Sequence, residues 1–275
     1  MSNNNDNDFL YENAPLVEVI AEIYWNLVQI QSSPGSAIDP YFKDFQKSFQ
    51  ESIGELGYTY IEQLVPDNVP LEFLAGRATH RYRQAEGRWP LFQIGPGLLT
   101  VNIVPPYEGW SDFYQYIELG LKNLFDCYPT AEKYLNLNAL DLRYIDAFTE
   151  EHGVQNRYEF LKNDLTLASD IGPRVQQLAV DSRESILQNS QVTINLKKPE
   201  NTVANISSQN GISGNKPAVV VTFQSRNQNI ADKEKSLDGA GNWFQESHEV
   251  LRELFQAMLS DRVINLLGEK RYVSE

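Results

Sequence analysis

The sequence predicts an α+β protein made of two similar halves, in which long helices pack on mostly antiparallel, curved sheets. Three observations predict this fold class. Apolar and polar residues alternate along many short segments, as they do in strands with one buried face. Apolar residues recur at helical spacing in two long segments, and each of these follows a run of strands. The same order of strand, helix, three or four strands and long helix occurs twice within the 275 residues, which indicates duplicated β-α-β(3-4)-α units.

The first predicted half spans residues 11–134. Its clearest stretch is a β-hairpin that turns at Gly95-Pro96-Gly97, because glycine adopts positive φ freely and proline fixes the turn. Asp39 is the predicted N-cap of the first helix, and Pro40 is its predicted first residue. The predicted strands lie at 11–25, 58–65, 76–85 and 91–103 (the hairpin), and the predicted helices at 41–56 and about 113–128.

The second predicted half spans residues 135–275 and repeats this order, although the two halves could equally form one continuous domain. Its final helix is expected to break at Ser260-Asp261, where the serine can cap a short terminal helix. Helices laid across antiparallel sheets resemble, by analogy alone, TATA-binding-protein-like and helix-grip folds. Residues 1–10, which are rich in Asn and Asp, are predicted to be a disordered tail. The predicted strands lie at 135–148, 183–188, 191–197, 202–207 and 217–226, the predicted loop at 209–216, and the predicted helices at 156–167 and 243–267.

Composition and charge restrict the classes of function. The net charge of −14 repels phosphate backbones, so general nucleic-acid binding is disfavoured. The single Cys127 excludes an internal disulfide framework and fits a reducing cytoplasm. No apolar run approaches the roughly 20 residues that a membrane helix needs. The beginning of the chain lacks the pattern of a secretion signal, so a cytoplasmic protein without a membrane segment is predicted. Five basic residues form either a local basic strip or the charged edge of a hairpin: Arg77, His80, Arg81, Arg83 and Arg88.

No motif for a metal, a phosphate group or a dinucleotide occurs at the required spacing, so no cofactor and no metal site are predicted. Glu18 and Glu22 share one face of a predicted strand, but four residues of strand separate them by about 13 Å. This distance exceeds the roughly 5–9.5 Å between the catalytic carboxylates of glycosidases. No catalytic residue is therefore predicted.

Polar side chains are predicted to gather on the sheet face that the helices leave open. Mixed donors and acceptors beside apolar residues suit a specific ligand or a protein partner, and a solvated sheet face is the alternative. Asp141 and Arg143 share this face and are expected to form an exposed ion pair. Asp141 can hold the guanidinium in place, while the remaining donors of Arg143 face outward to an acidic or carbonyl-bearing partner. The candidate binding residues are Glu18, Glu22, Gln93, Asn102, Asp141, Arg143, Asn195, Gln224 and Arg226.

Four segments together resemble a sporadically distributed family of uncharacterised bacterial proteins with an N-terminal NAPLVEVIxEI-type motif. They are NAPLVEVIAEI (13–23), LFQIGPGLLTVN (91–102), LDLRYID (140–146) and HEVLRELFQAMLSDRVINLLG (248–268). The resemblance implies a cytoplasmic bacterial protein, patchily inherited, with a role in defence or in a toxin–antitoxin system. It supplies no catalytic residues. The family often has Asn at the position of Asp146, so the resemblance gives that residue no special role.

These observations lead to one functional expectation and one alternative. We expect a non-enzymatic binding or interaction protein whose partner is another protein or a small ligand. The alternative is an enzyme, or a defence effector, with an unfamiliar site on the open sheet face. Fold analogy does not decide between them, because one fold serves many functions. The sequence leaves the partner, the oligomeric state and the role of the basic residues open.

Overall fold

The structure is a computed structural model that describes residues 9–30, 37–66, 68–180 and 186–272. Most of the predicted disordered tail, much of the loop at 31–38 and residues 183–185 of a predicted strand lie outside the described residues. Phe9 and Leu10 pair with Tyr272 and Arg271 in a short strand, so the predicted disorder is wrong for these two residues.

The described part of the chain contains thirteen strands. They are β1 (Phe9–Tyr11), β2 (Leu16–Trp25), β3 (Val28–Gln29), β4 (Ala37–Ile38), β5 (Tyr60–Gln63), β6 (His80–Arg83), β7 (Leu91–Gly95), β8 (Leu98–Ile103), β9 (Leu137–Phe148), β10 (Ser190–Asn195), β11 (Thr202–Ser213), β12 (Lys216–Asn227) and β13 (Lys270–Tyr272). In the described part of the chain, nine of them form one sheet in the order β10-β11-β12-β9-β2-β8-β7-β6-β5. Every neighbouring pair in this sheet is antiparallel.

Three long helices pack on one face of this sheet, and the described part of the chain contains seven α-helices in all. They are α1 (Phe42–Glu55), α2 (Trp110–Cys127), α3 (Ala131–Tyr134), α4 (Arg157–Glu159), which continues as a π-helix over Phe160–Asp164, α5 (Pro173–Gln176), α6 (Leu237–Met258) and α7 (Asp261–Leu267). The three long helices lie side by side, because α2 contacts both α1 and α6. Their apolar stripes are buried in one core with the sheet: Phe45 and Phe49 from α1, Phe113 and Ile117 from α2, and Trp243 and Leu251 from α6. The predicted α+β class, with long helices packed on antiparallel sheet, is confirmed, but the strands expected in two sheets form one continuous sheet of nine strands among the described residues.

The predicted hairpin is formed by β7 and β8, and Gly97 in its turn has a φ of 77°, which favours glycine. Gly95, at the end of β7, is needed for a different reason. A Cβ atom at Gly95 would lie 1.7 Å from the carbonyl oxygen of Arg77, so a larger residue cannot occupy this position without moving the backbone.

Among the described residues, no helix is both long enough and apolar enough to cross a bilayer.

The centre of the sheet is the pairing of β2 with β9, which joins the first part of the chain to the second. Each of these strands also pairs with the last strand that its own part contributes to this sheet, β2 with β8 and β9 with β12. The register of β2 and β9 shifts between Leu16 and Glu18, as in a β-bulge, directly beside Asp146. Bulges of this kind re-aim side chains and are common next to functional sites.

Several predicted boundaries are wrong for physical reasons. The loop predicted at 209–216 is mostly strand, because β11 and β12 remain paired as far as Ser213 and Lys216. Val192 and Ile194, in the predicted strand 191–197, lie on the helix-facing side of the sheet but are 40% and 36% exposed, because β10 is an edge strand. Residues 186–189 are not strand.

Candidate functional site

All nine predicted binding residues lie on one face of the large sheet, opposite to the face that packs on α1, α2 and α6. Strand pairing fixes their side: Glu22 is paired with Asp141, and Arg143 with Gln224. Directly paired residues, and residues two apart along a strand, point to the same side of a sheet. We call this side the polar face; its predicted members are Glu18, Glu22, Gln93, Asn102, Asp141, Arg143, Asn195, Gln224 and Arg226.

Four of these residues surround the carboxylate of Asp141. Arg226 donates from Nη1 to Asp141 Oδ2 over 3.2 Å, and Gln224 donates from Nε2 to the same oxygen over 2.6 Å. Arg143 Nη2 lies 2.5 Å from Glu22 Oε2 and 3.5 Å from Asp141 Oδ1, so it bridges the two acids. The structure therefore brings five predicted residues into one ion-paired cluster.

This cluster is less exposed than the sequence suggests. The side chain of Asp141 is fully buried, while those of Arg143 and Arg226 are 27% and 29% exposed. Burial raises the pKa of Asp141 to about 6, although Arg143 and Arg226 oppose the shift. The expectation of an exposed Asp141–Arg143 pair is thus wrong, because the two arginines and Gln224 cover the carboxylate from above.

A second network crosses the other half of the polar face. Arg81 donates to Gln93 (3.2 Å), Gln93 to Thr100 (3.1 Å), Thr100 to Asn102 (2.7 Å) and Asn102 to Glu18 (2.9 Å). Each group donates to the next, and the chain of bonds ends on a carboxylate. Three predicted residues, Gln93, Asn102 and Glu18, are therefore held in fixed positions across β7, β8 and β2.

The five basic residues between 77 and 88 do not form one strip. Arg81 and Arg83 belong to the polar face and pair with Glu62, at 3.5 and 2.9 Å. Arg77 and Arg88 are exposed at either end of this segment. β6 lies between β5 and β7, and its antiparallel partner β5 forms the edge of the large sheet.

The polar face holds its groups in place by mutual pairing. Each of its described carboxylates, at Glu18, Glu22, Glu62 and Asp141, accepts at least one bond from a neighbour. Asn195 lies on the edge strand β10, where it makes no side-chain hydrogen bond to the other predicted residues that the structure describes. The geometry therefore suits recognition by the outer donors of the arginines, and it leaves no carboxylate of this face unpaired for acid–base chemistry.

On the other face of the sheet, a cavity of about 860 Å³ lies beside α6. We call it the α6 cavity. Its floor is β9 and β12, and its remaining walls are β1, the start of β2, the loop before α2 and the residue before β13. Most of its lining is apolar, and the lining residues are Phe9, Leu10, Tyr11, Glu12, Ala14, Pro15, Leu16, Pro105, Pro106, Tyr107, Glu108, Tyr144, Asp146, Phe223, His248, Leu251, Arg252, Phe255, Gln256 and Glu269.

Asp146 is the most unusual group in this cavity. It follows Leu142 and Tyr144 on the side of β9 that faces the helices, and it is only 4% exposed. Among the described residues its carboxylate has no hydrogen bond and no ion pair. Burial is the cause of its raised pKa, which is about 7. At neutral pH the protonated and ionised forms of Asp146 therefore have nearly equal free energies. This group lies in the wall of an apolar cavity.

His248 and Tyr144 form a fixed pair next to Asp146. The Oη atom of Tyr144 lies 2.8 Å from Nδ1 of His248, and the imidazole stacks on Trp110 with ring centroids 4.3 Å apart. Burial, with a smaller contribution from Arg252, lowers the pKa of His248 to about 3. His248 therefore stays neutral and supplies no positive charge for Asp146.

Sequence reasoning placed all nine predicted residues on the correct side but missed the α6 cavity. A signal was present in β9, where apolar residues occupy alternate positions from Leu140 to Phe148 and Asp146 interrupts them. An acid at a buried position of a strand calls for a partner. The family resemblance assigns no role to this position.

Comparisons with known proteins add little to this geometry. No protein-family model and no curated protein sequence matches the chain. The crystal structure of the di-domain ARO/CYC StfQ from the steffimycin biosynthetic pathway has 10% sequence identity and a TM-score of 0.15. The match covers 68% of this chain and 72% of that one. A similarity at this level supports neither a shared fold nor a shared activity.

Proposed function

We propose that this chain is a non-enzymatic binding protein whose ligand is a small molecule held in the α6 cavity. One observation carries the proposal: the cavity of about 860 Å³ contains a buried carboxylate, Asp146, that has no partner among the described residues. Sites for small ligands typically measure about 300–1,000 Å³ and combine apolar walls with a few polar groups. Both conditions are met here.

The energetics of Asp146 favour a ligand over a purely structural role. An ionised carboxylate without a partner in apolar surroundings is unfavourable by several kcal/mol. A residue placed only for packing would be apolar, as Leu142 and Phe148 are on the same side of β9. A ligand that donates a hydrogen bond to Asp146 would satisfy the carboxylate and fill the apolar space around it.

Binding of the neutral dye Nile red tests whether the cavity accepts a ligand. We expect saturable fluorescence enhancement with the wild-type protein and its loss in Gln256→Trp, which places a large side chain in the cavity wall. Glu253→Trp is the matched control, because Glu253 lies on the exposed side of the same helix. Melting temperatures of both variants verify the fold. Absence of saturable binding to the wild-type protein, or equal binding by the two variants, would contradict the proposal.

A second candidate function is the binding of a protein partner to the polar face. The supporting observation is that Arg143 and Arg226, each 27–29% exposed, are held by buried carboxylate oxygens with further donors available. Such fixed guanidinium groups suit a partner that presents carboxylates or carbonyl oxygens. Partner capture from the native host should fall in Arg143→Ala and persist in Arg88→Ala, which removes an exposed arginine elsewhere. Equal capture by the two variants would dismiss the polar face as the site.

We infer that the chain arose by duplication of a TATA-binding-protein-like unit. The strand order of the nine-stranded sheet supports this, because β2 and β9 are the first strands that the two parts contribute to it and pair with the last ones, β8 and β12. Superposition of residues 16–127 on 137–258 should align β2 with β9 and α2 with α6. Unrelated chain paths in that superposition would contradict the inference.

The physiological setting that we propose is bacterial defence or a toxin–antitoxin system, and the sequence resemblance is its support. The genes that flank the coding sequence provide a direct test. An adjacent toxin or nuclease gene in several hosts would favour a role through a protein partner. Neighbouring genes of small-molecule metabolism would instead favour the ligand-binding function alone.

A further inference from the structure

Acidic side chains outnumber basic ones in the described lining of the α6 cavity. Of the described lining side chains, Glu12, Glu108, Asp146 and Glu269 are acidic, and Arg252 is basic. Glu12, Glu108 and Glu269 are exposed, so they lie near solvent, whereas Asp146 is buried. The negative charges attract a cation toward the cavity, and the buried one lies where a cation would be desolvated.

Neither His248 nor Arg252, which both line the cavity, neutralises the charge of Asp146. His248 is fixed between Tyr144 and the ring of Trp110 and stays neutral. Arg252 acts on His248, whose pKa it lowers, but burial alone accounts for the raised pKa of Asp146. Among the described residues Asp146 therefore has no cationic partner, and a positively charged ligand would supply one.

The remaining walls define the rest of that ligand. Phe255 lies among three other rings, with centroid distances of 5.6 Å to Phe223, 6.3 Å to Tyr11 and 6.4 Å to Phe148. This cluster offers aromatic faces and edges to an apolar ring or chain. The register shift of β2 against β9 lies at the same place, because Leu16 is paired with Asp146 and both residues line the cavity.

We propose that the α6 cavity binds an amphiphilic monocation, namely an apolar ring or short chain carrying one amine, whose nitrogen donates to the carboxylate of Asp146. This inference rests on the proposed function, because it requires that the cavity bind a small molecule. Binding is expected to displace the proton of Asp146, since the ammonium group stabilises the ionised form. The affinity for amines should therefore rise between pH 5.5 and pH 8.

Three probes of equal size separate charge from shape: 2-naphthylmethylamine, 2-naphthalenemethanol and 2-naphthoic acid, each titrated against bound Nile red. At pH 8 we expect the amine to displace the dye at a concentration at least about tenfold lower than the alcohol, with the acid weakest. A tenfold difference corresponds to about 1.4 kcal/mol. At pH 5.5, where Asp146 is largely protonated, the preference for the amine should shrink.

Asp146→Asn tests the named residue. It should retain Nile red binding and lose the preference for the amine, whereas Glu12→Gln, which neutralises an exposed acid in the same wall, should keep that preference. If the wild-type protein fails to bind the dye, the proposed function falls and this inference falls with it. If the dye binds but the alcohol competes as well as the amine, or Asp146→Asn keeps the preference, this inference alone is overturned.

Discussion

Replacing Asp146 by asparagine should stabilise the ligand-free protein, and the gain should grow with pH. In the unfolded chain an aspartate has its ordinary pKa of 3.8, whereas in the folded protein the pKa is about 7. The folded state therefore holds the proton more tightly. The stability that this residue contributes is fully present below about pH 4 and is lost as the pH rises through about 7.

The size of the effect follows from the two pKa values. A difference of about three units corresponds to about 4 kcal/mol of stability lost by pH 8, of which about 2.5 kcal/mol develops between pH 5 and pH 8. Asparagine has nearly the same shape and carries no charge at any pH. The advantage of Asp146→Asn over the wild-type protein should therefore increase by about 2.5 kcal/mol over this interval.

Urea unfolding at pH 5, 6, 7 and 8 measures this advantage. Glu253→Gln serves as the control, because it removes one negative charge from the exposed side of α6 and so reports the general effect of net charge. The reasoning would be refuted if the difference between Asp146→Asn and wild type stayed constant from pH 5 to pH 8. It would also be refuted if the control variant showed the same pH dependence.

The remaining predictions concern the fold. Trp243→Ala should cost about 3–5 kcal/mol, because Trp243 is only 2% exposed, whereas Glu22→Ala should cost clearly less; equal losses in thermal melts would contradict the assignment of the two faces. Gly120→Val should destabilise by about 1–3 kcal/mol, since a Cβ atom there already lies 3.0 Å from Val101, and an unchanged urea midpoint would show that α2 can move away. Ser260→Ala should cost about 1 kcal/mol through loss of its bond from the Val263 N–H of α7, and a normal melting temperature would count against this cap.

Local patterns predicted the parts of the fold that depend on local rules. The hairpin at residues 91–103 follows from its alternation and its glycine turn, and the break before α7 follows from Ser260, which caps that helix as expected. The same alternation identified the members of the polar face, because successive side chains of a strand point to opposite faces of the sheet. It did not reveal which of these residues would be covered, since Asp141 is buried by arginines from two strands.

Residues whose partners are distant in sequence could not be predicted in this way. Asp39 was expected to cap α1, but α1 begins at Phe42 and the carboxylate of Asp39 accepts bonds from the indole of Trp25 (2.8 Å) and the hydroxyl of Tyr128 (2.9 Å). Asp146 belongs to the same class of failure, because the walls of its cavity come from both ends of the described chain. Local periodicity contains no information about such contacts.

The central pairing of β2 with β9 has a consequence for the order in which the chain leaves the ribosome. When residues up to about 134 have been synthesised, β8 can already cover one side of β2, but the other side has no partner until β9 emerges. An open strand edge invites pairing with other nascent chains. Glu18 and Glu22 lie on this strand, and their like charges on neighbouring polysomal chains would repel each other. Once β9 emerges and pairs with β2, Arg143 forms an ion pair with Glu22. The carboxylate that repels other chains from the open edge of β2 then stabilises the pairing of β2 with β9.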